Sequence, residues 1–254
     1  MSEHHPYPQA VVLLPVFRPG PSLRDLVAAL CADGCDRIVV VADGGGPAAE
    51  PVLAGLGPFG CTVLRHPVNL GKGAALKTGF RHAMTAHPGL DVVAADSDGQ
   101  HRAADIRRVA ERTGRGRIVL GVRAFDRMPP RSRFGNTVTR TLFRTVTGRD
   151  VSDTQTGLRG YPAALLESLC AVPGDRFEYE MNVLLEAARS GAEIEEVEIP
   201  ATYLDGNASS HFGAVADSVR VYRPLVRYAA TSLLNRRAAD ESLSRKSHSH
   251  PPAQ

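Results

Sequence analysis

The ten residues Val92-Val93-Ala94-Ala95-Asp96-Ser97-Asp98-Gly99-Gln100-His101 pass from an apolar segment into a polar one. The apolar first half predicts a buried strand, and the polar second half predicts a loop where that strand ends. In an extended or turn conformation, Asp96 and Asp98 can both reach one cation, and the amide oxygen of Gln100 can add a third ligand. Such oxygen ligands suit Mg²⁺ or Mn²⁺ rather than Zn²⁺. The alternative is an ordinary acidic loop in which an aspartate or serine caps the next helix.

The composition indicates one large folded domain with polar ends. The 254 residues are 43% hydrophobic and carry a net charge of +3, which does not indicate nucleic acid as a partner. The four cysteines lack the paired spacing of a zinc site, and reduced thiols are typical of a cytoplasmic protein. We predict a flexible tail at residues 1–9, a folded domain at 10–213, an amphipathic helix at 214–237 and a disordered tail at 238–254.

Strands and helices alternate through the first half of the chain. Short apolar runs predict strands at residues 11–16, 37–41, 61–64, 90–95 and 117–122. Helices are predicted at residues 22–32 with Ser22 as the cap, at 71–86 and at 105–113. The second half predicts helices at 131–147 and 177–190 and a strand at 194–200. This alternation is typical of an α/β protein whose mainly parallel sheet is buried on both faces.

Polar residues follow several of the predicted strands. Asp43, Asp96, Asp98 and Arg123 each come just after a strand ends. Because ligands of open α/β sheets bind at the carboxyl ends of the strands, we expect these four side chains to share one site.

The segment 69–77 brings glycines and Lys72 to the start of a predicted helix. Backbone N–H groups and the helix dipole favour an anion at such a position. The spacing is not that of a Walker A loop. The alternative is a tight turn that carries a surface lysine.

Six segments together resemble glycosyltransferase family 2, in the branch of dolichyl-phosphate mannose synthases and bacterial polyprenyl-phosphate glycosyltransferases. They occur in the family's order and span most of the chain, from residue 11 to residue 212. They are residues 43–44, 69–80, 96–101, 153–159, 177–181 and 207–212.

The resemblance implies a Rossmann-like GT-A fold that uses a nucleoside-diphosphate sugar as donor. It implies that a divalent metal, Mg²⁺ or Mn²⁺, lies on the donor diphosphate. The implied metal ligands are Asp96, Asp98 and Gln100, and the implied donor-binding residues are Pro15, Asp43, Lys72 and His211. His211 has the alternative of an ordinary surface histidine. The sequence departs from the family at Ala42, where a first aspartate is usual, and this leaves the nucleotide base open.

The acceptor decides which further residues are required. A lipid phosphate is already an anionic nucleophile and needs cationic partners, preferably forked ones. Arg123 and Arg133 match positions that bind acceptor phosphate in the polyprenyl branch. A sugar hydroxyl would instead need a general base, for which the available carboxylates are Asp153, Glu178 and Glu180. The helical spacing places Glu178 and Glu180 on opposite sides of an apolar stripe, so at most one faces the reacting carbon.

Three hypotheses follow from these residues. The first is an inverting, metal-dependent transfer of a sugar to polyprenyl phosphate by a peripheral protein on the inner face of the membrane. The second keeps the fold and the donor but uses a soluble hydroxyl acceptor. The third, suggested by Ala42, is a non-catalytic nucleotide-binding protein. The predicted helix at 214–237 has a basic side that can lie on an anionic membrane surface, or it packs on its own domain.

Overall fold

The computed structural model describes residues 7, 10–124, 130–200, 223–226 and 228–229. The strands are β1 (Ala10–Val16), β2 (Ile38–Asp43), β3 (Thr62–His66), β4 (Asp91–Ala94), β5 (Ile118–Arg123), β6 (Arg159–Tyr161) and β7 (Ile194–Ile199). The α-helices are α1 (Pro21–Ala32), α2 (Glu50–Ala54), α3 (Lys72–Ala86), α4 (Ala103–Ala110), α5 (Pro130–Thr147), α6 (Leu166–Ala171) and α7 (Glu178–Ser190).

The strands form one seven-stranded sheet in the order β3-β2-β1-β4-β6-β5-β7. Strands β3, β2, β1 and β4 are parallel, and β5 is parallel to β7. Only β6 among them runs antiparallel, between β4 and β5. The prediction of a mainly parallel α/β sheet is therefore confirmed, while β6 was not predicted, because three residues reading Arg-Gly-Tyr form no apolar run.

Both faces of the sheet are buried, as continuous apolar strands require. Alternate residues of β1 point to opposite sides, so Val11 and Leu13 join one apolar cluster and Val12 and Leu14 join the other. Helices α3, α6 and α7 cover the first cluster, and α1, α2 and α4 cover the second. Helix α3 lies close to the sheet because Gly79 has no side chain; a Cβ there would overlap Leu13.

Helix α1 begins differently from the prediction. It starts at Pro21, which suits the first helical position, and Gly20 is the capping residue. Ser22 is therefore not the cap. Its hydroxyl instead donates a 2.9 Å hydrogen bond to the carbonyl of Ser97. This bond ties α1 to the loop that contains Asp96 and Asp98.

The predicted terminal segments fall largely outside the described residues. Tyr7, from the predicted N-terminal tail, is buried and donates a hydrogen bond to the Asp33 carboxylate. Of the predicted helix at 214–237, Leu225 packs into the core and Val226 is exposed. Among the described residues, no helix combines the length and apolar character needed to cross a membrane.

Candidate active site

A cleft of 680 Å³ lies at the carboxyl ends of β1, β2, β4 and β5. Its lining includes Pro15, Asp43, Lys72, Asp96, Asp98, Gln100 and Arg123. The structure therefore brings together the polar residues that follow separate strands. Parallel strands cause this, because their carboxyl ends meet at one edge of the sheet.

Lys72 lies at the floor of the cleft between two carboxylates. Its Nζ is 2.7 Å from Asp96 Oδ1 and 2.9 Å from Glu180 Oε2. Burial alone would lower the pKa of Lys72, but the two carboxylates together hold it above its usual value. Burial likewise acts to raise the pKa of Asp96, and Lys72 reverses this, so that the pKa lies below its usual value. Lys72 and Asp96 are therefore both charged at neutral pH, and the alternative of a surface lysine at residue 72 is wrong, because its side chain is only 13% exposed.

Asp98 and Gln100 hold one another within the same loop. The Asp98 carboxylate accepts hydrogen bonds from the Gln100 backbone N–H at 3.0 Å and from its side-chain amide at 2.9 Å. Burial and the nearby Asp96 raise the pKa of Asp98 above its usual value. Within the described residues, no group of three His, Cys, Asp or Glu side chains is arranged to hold a metal. The available donors, two carboxylates and one amide oxygen, still match the hard oxygen ligands of Mg²⁺ or Mn²⁺.

His101 is buried and lines the cleft, although the sequence assigned it no role of its own within the segment 96–101. Its Nε2 lies 3.9 Å from Asp96 Oδ2, and its Nδ1 has no hydrogen-bond partner among the residues described. Burial lowers the pKa of His101 to about 4. The imidazole is therefore neutral at pH 7.

Asp43 holds the glycine-containing loop in place. Its carboxylate accepts hydrogen bonds from the N–H groups of Leu70 at 2.9 Å and Gly71 at 2.7 Å. It also lies 2.7 Å from Nδ1 of His66, whose Nε2 lies 2.9 Å from the Thr78 hydroxyl. The role of His66 was missed, although it ends the strand next to Asp43 and the two residues are paired in register.

The start of α3 is partly occupied by the protein itself. The Gly71 N–H donates to Asp43, and the Ala74 N–H donates to the carbonyl of Asp175. A Cβ at Gly73 would come within 2.6 Å of the Tyr179 Cβ. These glycines therefore serve the close approach of α3 to the start of α7, and their effect on the cleft is to position Lys72.

Ala42 does not remove a side chain from the cleft. It is buried in the apolar cluster beneath α1 and α2, whereas Asp43 lines the cleft. The departure from the family at this residue therefore leaves the cleft's own carboxylates in place.

Arg123 and Asp153 form a forked ion pair. Arg123 Nε lies 2.8 Å from Asp153 Oδ2, and Nη2 lies 3.2 Å from Oδ1. Asp153 is fully buried and does not line the cleft, whereas Arg123 does. Asp153 thus orients Arg123. Arg133 is exposed on α5 and is not part of the cleft lining.

The two glutamates of α7 point in different directions, as the helical spacing predicted. Glu178 accepts hydrogen bonds from the N–H groups of Asp175 and Arg176, both at 3.2 Å, and so holds the loop that precedes α7. Glu180 lines the cleft and contacts Lys72. Of this pair, Glu180 is the residue at the site.

Arg159, which was also missed, fixes the loop that faces Asp96. This buried guanidinium donates to the carbonyls of Thr154 at 3.1 Å, Thr156 at 2.8 Å and Glu180 at 2.7 Å. The loop then passes Asp96 so closely that a Cβ at Gly157 would overlap its carboxylate. His211 lies outside the described residues.

Comparison with known proteins identifies the family to which the chain belongs. The sequence model of Glycosyl transferase family 2 matches residues 11–170. The uncharacterized protein MJ1222 of Methanocaldococcus jannaschii is 28% identical over 207 residues, which cover 78% of this chain and 83% of that protein. The UDP-N-acetylglucosamine--dolichyl-phosphate N-acetylglucosaminyltransferase of Methanococcus voltae is 25% identical over 217 residues, which cover 76% of this chain and 86% of that protein.

Solved structures agree on the fold. Glucosyl-3-phosphoglycerate synthase from Mycobacterium tuberculosis, in complex with Mn²⁺, uridine diphosphate and glucosyl-3-phosphoglycerate, superposes with a TM-score of 0.67 at 18% identity. The match covers 87% of this chain and 80% of that one. The same enzyme with Mg²⁺ and uridine diphosphate gives a TM-score of 0.66 at 20% identity, covering 87% and 79%. The predicted GT-A fold is confirmed.

Proposed function

The chain belongs to glycosyl transferase family 2, and we propose that it transfers a sugar, with inversion, from a nucleoside-diphosphate sugar to a polyprenyl phosphate. That the chain is a glycosyltransferase follows from its family. The acceptor and the dependence on a divalent metal are the proposal. One observation carries it: a single cleft presents the carboxylates of Asp96 and Asp98 together with the guanidinium of Arg123.

The acidic side of the cleft suits the donor. Asp96, Asp98 and the amide oxygen of Gln100 would hold Mg²⁺ or Mn²⁺, which when bound stabilises the charge of a leaving diphosphate. Lys72 keeps Asp96 ionised and in place through their 2.7 Å ion pair. Pro15 and Asp43 line the cleft beside this loop and are proposed to face the nucleoside, and His211 is proposed to face the diphosphate.

The cationic side of the cleft suits an anionic acceptor. Arg123 is oriented by two hydrogen bonds to buried Asp153, so its guanidinium is held ready for a phosphate with little loss of side-chain freedom. Arg133 is proposed as a second contact for the lipid phosphate. Arg133 lies two residues before Gly135 in α5. A Cβ added at Gly135 would lie 3.9 Å from the side-chain amide of Gln155, which lines the cleft.

The carboxylates support a phosphate acceptor over a hydroxyl. Asp153 accepts from Arg123 with both oxygens, and Glu180 pairs with Lys72. Neither is therefore directed at an incoming hydroxyl as a general base must be. The Methanococcus voltae relative, whose name specifies dolichyl phosphate, points the same way.

A titration of metal and acceptor tests the proposal. Release of nucleoside diphosphate from a panel of nucleotide sugars is followed with polyprenyl phosphate present and Mg²⁺ or Mn²⁺ varied. We expect Asp98→Asn to abolish metal-dependent release while the circular dichroism spectrum and melting temperature stay unchanged. Full metal-dependent turnover in this variant would remove Asp98 from the proposed metal site.

A second pair of variants tests the acceptor side. Arg123→Gln and Arg133→Ala are expected to raise the KM for polyprenyl phosphate and leave donor binding unchanged. The matched control is Arg189→Gln, because Arg189 is 70% exposed at the far end of α7. If Arg123→Gln and Arg133→Ala have the same KM for lipid phosphate as Arg189→Gln, the assigned phosphate contacts are wrong.

A further inference from the structure

Helix α5 carries an apolar stripe on its exposed side. Phe134, Val138 and Leu142 follow one another at intervals of four residues and so share one side of the helix. Phe134 is 74% exposed and Leu142 is 37% exposed, which places them among the exposed large hydrophobic residues of the described chain.

The opposite side of α5 holds the helix to the domain. Phe143 is buried in the core, and the side-chain amide of Asn136 donates a 2.8 Å hydrogen bond to the carbonyl of Ser152. The stripe is therefore presented outward by a helix whose orientation is already determined.

The charge of α5 has one sign. Its 18 residues include no acidic side chain. Arg133, Arg140 and Arg144 are spaced seven and four residues apart and lie on one flank of the helix, with a row of threonines between them and the apolar stripe. Arg140 is paired with Asp150 at 2.8 Å, and Arg144 is exposed. Arg140, Arg144 and three threonines line a shallow groove of 520 Å³ beside the stripe.

We infer that α5 is a docking surface for an anionic membrane. A helix whose solvent side carries an apolar stripe and, on its flank, a basic stripe fits the boundary between headgroups and acyl chains. The arginines would contact lipid phosphates there. The inference rests on the proposed function in one respect, since a membrane surface is where a polyprenyl phosphate acceptor lies. Docking through α5 also brings the cleft to that surface, because Gly135 adjoins Gln155 of the cleft lining.

A second copy of the chain fits this surface less well. Three apolar side chains cover far less than the roughly 800 Å² per partner that a stable dimer buries. Two copies of α5 would also bring arginines against arginines, and like charges across an interface disfavour association. An anionic lipid surface supplies the missing charge.

Vesicle binding of the full chain tests the inference without any turnover. The protein is co-sedimented with vesicles of phosphatidylglycerol and phosphatidylcholine and, separately, of phosphatidylcholine alone. We expect binding to the anionic vesicles only, and a partition coefficient about tenfold lower for the double variant Phe134→Ser/Leu142→Ser. The matched control is Val226→Ser, because Val226 is an exposed apolar residue outside α5; it is expected to bind like the native chain.

Arg144→Gln tests the contribution of the basic stripe, and we expect it to weaken binding to anionic vesicles about fivefold. No binding of the native chain to anionic vesicles would overturn the inference. An equal loss of vesicle binding in Val226→Ser would also overturn it, because that result would point to the C-terminal segment. Light scattering that shows the double variant converting a dimer to a monomer would overturn it as well.

A water-soluble, short-chain polyprenyl phosphate separates docking from chemistry. Docking without turnover of this acceptor or of the long-chain lipid would overturn the proposed function and leave the docking surface standing. If the proposed function and the docking surface are both right, the double variant loses vesicle binding but turns over the soluble acceptor at the native rate. Turnover by a native chain that does not bind vesicles would overturn the docking surface alone.

Discussion

Replacing Gly157 by alanine adds one methyl group at the most crowded point of the cleft. The added Cβ would lie 2.7 Å from Asp96 Cγ and 3.0 Å from Lys72 Nζ, whereas ordinary contacts at a Cβ begin near 3.4 Å. Because Arg159 and its three carbonyl partners hold the loop, Asp96 has to retreat by roughly 1 Å, and a displacement of that size at a reacting centre costs about 100-fold in rate. The overlap is also expected to lower the free energy of unfolding by about 1–3 kcal/mol.

The matched control is Gly57→Ala. A Cβ at Gly57 meets nothing within 4 Å, and neither Gly57 nor Gly157 has the positive φ that would strain an alanine. Initial rates of nucleoside-diphosphate release at saturating donor report the effect on turnover, and urea unfolding reports the effect on stability. Native rates in Gly157→Ala would refute the reasoning, since they would mean that the position of Asp96 does not matter to the reaction. An equal loss in Gly57→Ala would show that the effect is not specific to the cleft.

Lys72, Asp43 and Cys35 each give a further prediction. Lys72→Met removes the cation that Asp96 and Glu180 share, while Arg159 still lies 3.8 Å from Glu180, so the free energy of unfolding in urea is expected to fall by about 1–3 kcal/mol; an unchanged midpoint would contradict the ion-paired trio. Asp43→Asn takes an acceptor away from the Leu70 and Gly71 N–H groups, and we expect faster amide hydrogen exchange at residues 69–71 with native exchange in α7. Burial raises the pKa of Cys35 to about 12, from an ordinary value of 9.0. Between these two values the thiol is ionised only in the unfolded chain, so stability declines as pH rises, by at most about 1.4 kcal/mol per pH unit. Cys35→Ala should flatten that decline, and parallel curves of unfolding free energy against pH would count against it.

The parallel part of the fold was predictable because each of its strands has a local sequence pattern. Apolar runs that stop at a carboxylate or an arginine gave β1, β2, β4 and β5 within a few residues of their observed bounds. Strand β6 has no such signal, since its pairing with β4 and β5 is decided by distant residues. The short helices α2 and α6 were also not predicted, at five and six residues. Ser22 was misassigned because Pro21 begins the helix one residue earlier.

The site was predictable in its cleft-facing residues and not in the contacts that position them. The expectation that Asp43, Asp96, Asp98 and Arg123 share a site required only that strands running in the same direction end at the same edge of the sheet. The contact between Lys72 and Glu180 joins residues far apart in sequence, and so does the approach of Gly157 to Asp96. No local pattern encodes either one. Arg159 carries a signal of its own only in retrospect, as a fully buried arginine whose donors face three carbonyls.

The fate of a labelled sugar shows most directly whether this cleft transfers a sugar to a lipid phosphate. The purified protein is incubated with Mg²⁺ or Mn²⁺, a panel of radiolabelled nucleotide sugars, polyprenyl phosphate and, in parallel, a soluble alcohol acceptor. We predict that label from one donor enters the organic phase, only with metal present and not with Asp98→Asn. Label that stays out of the organic phase with every donor, while it enters the soluble alcohol, would contradict this prediction.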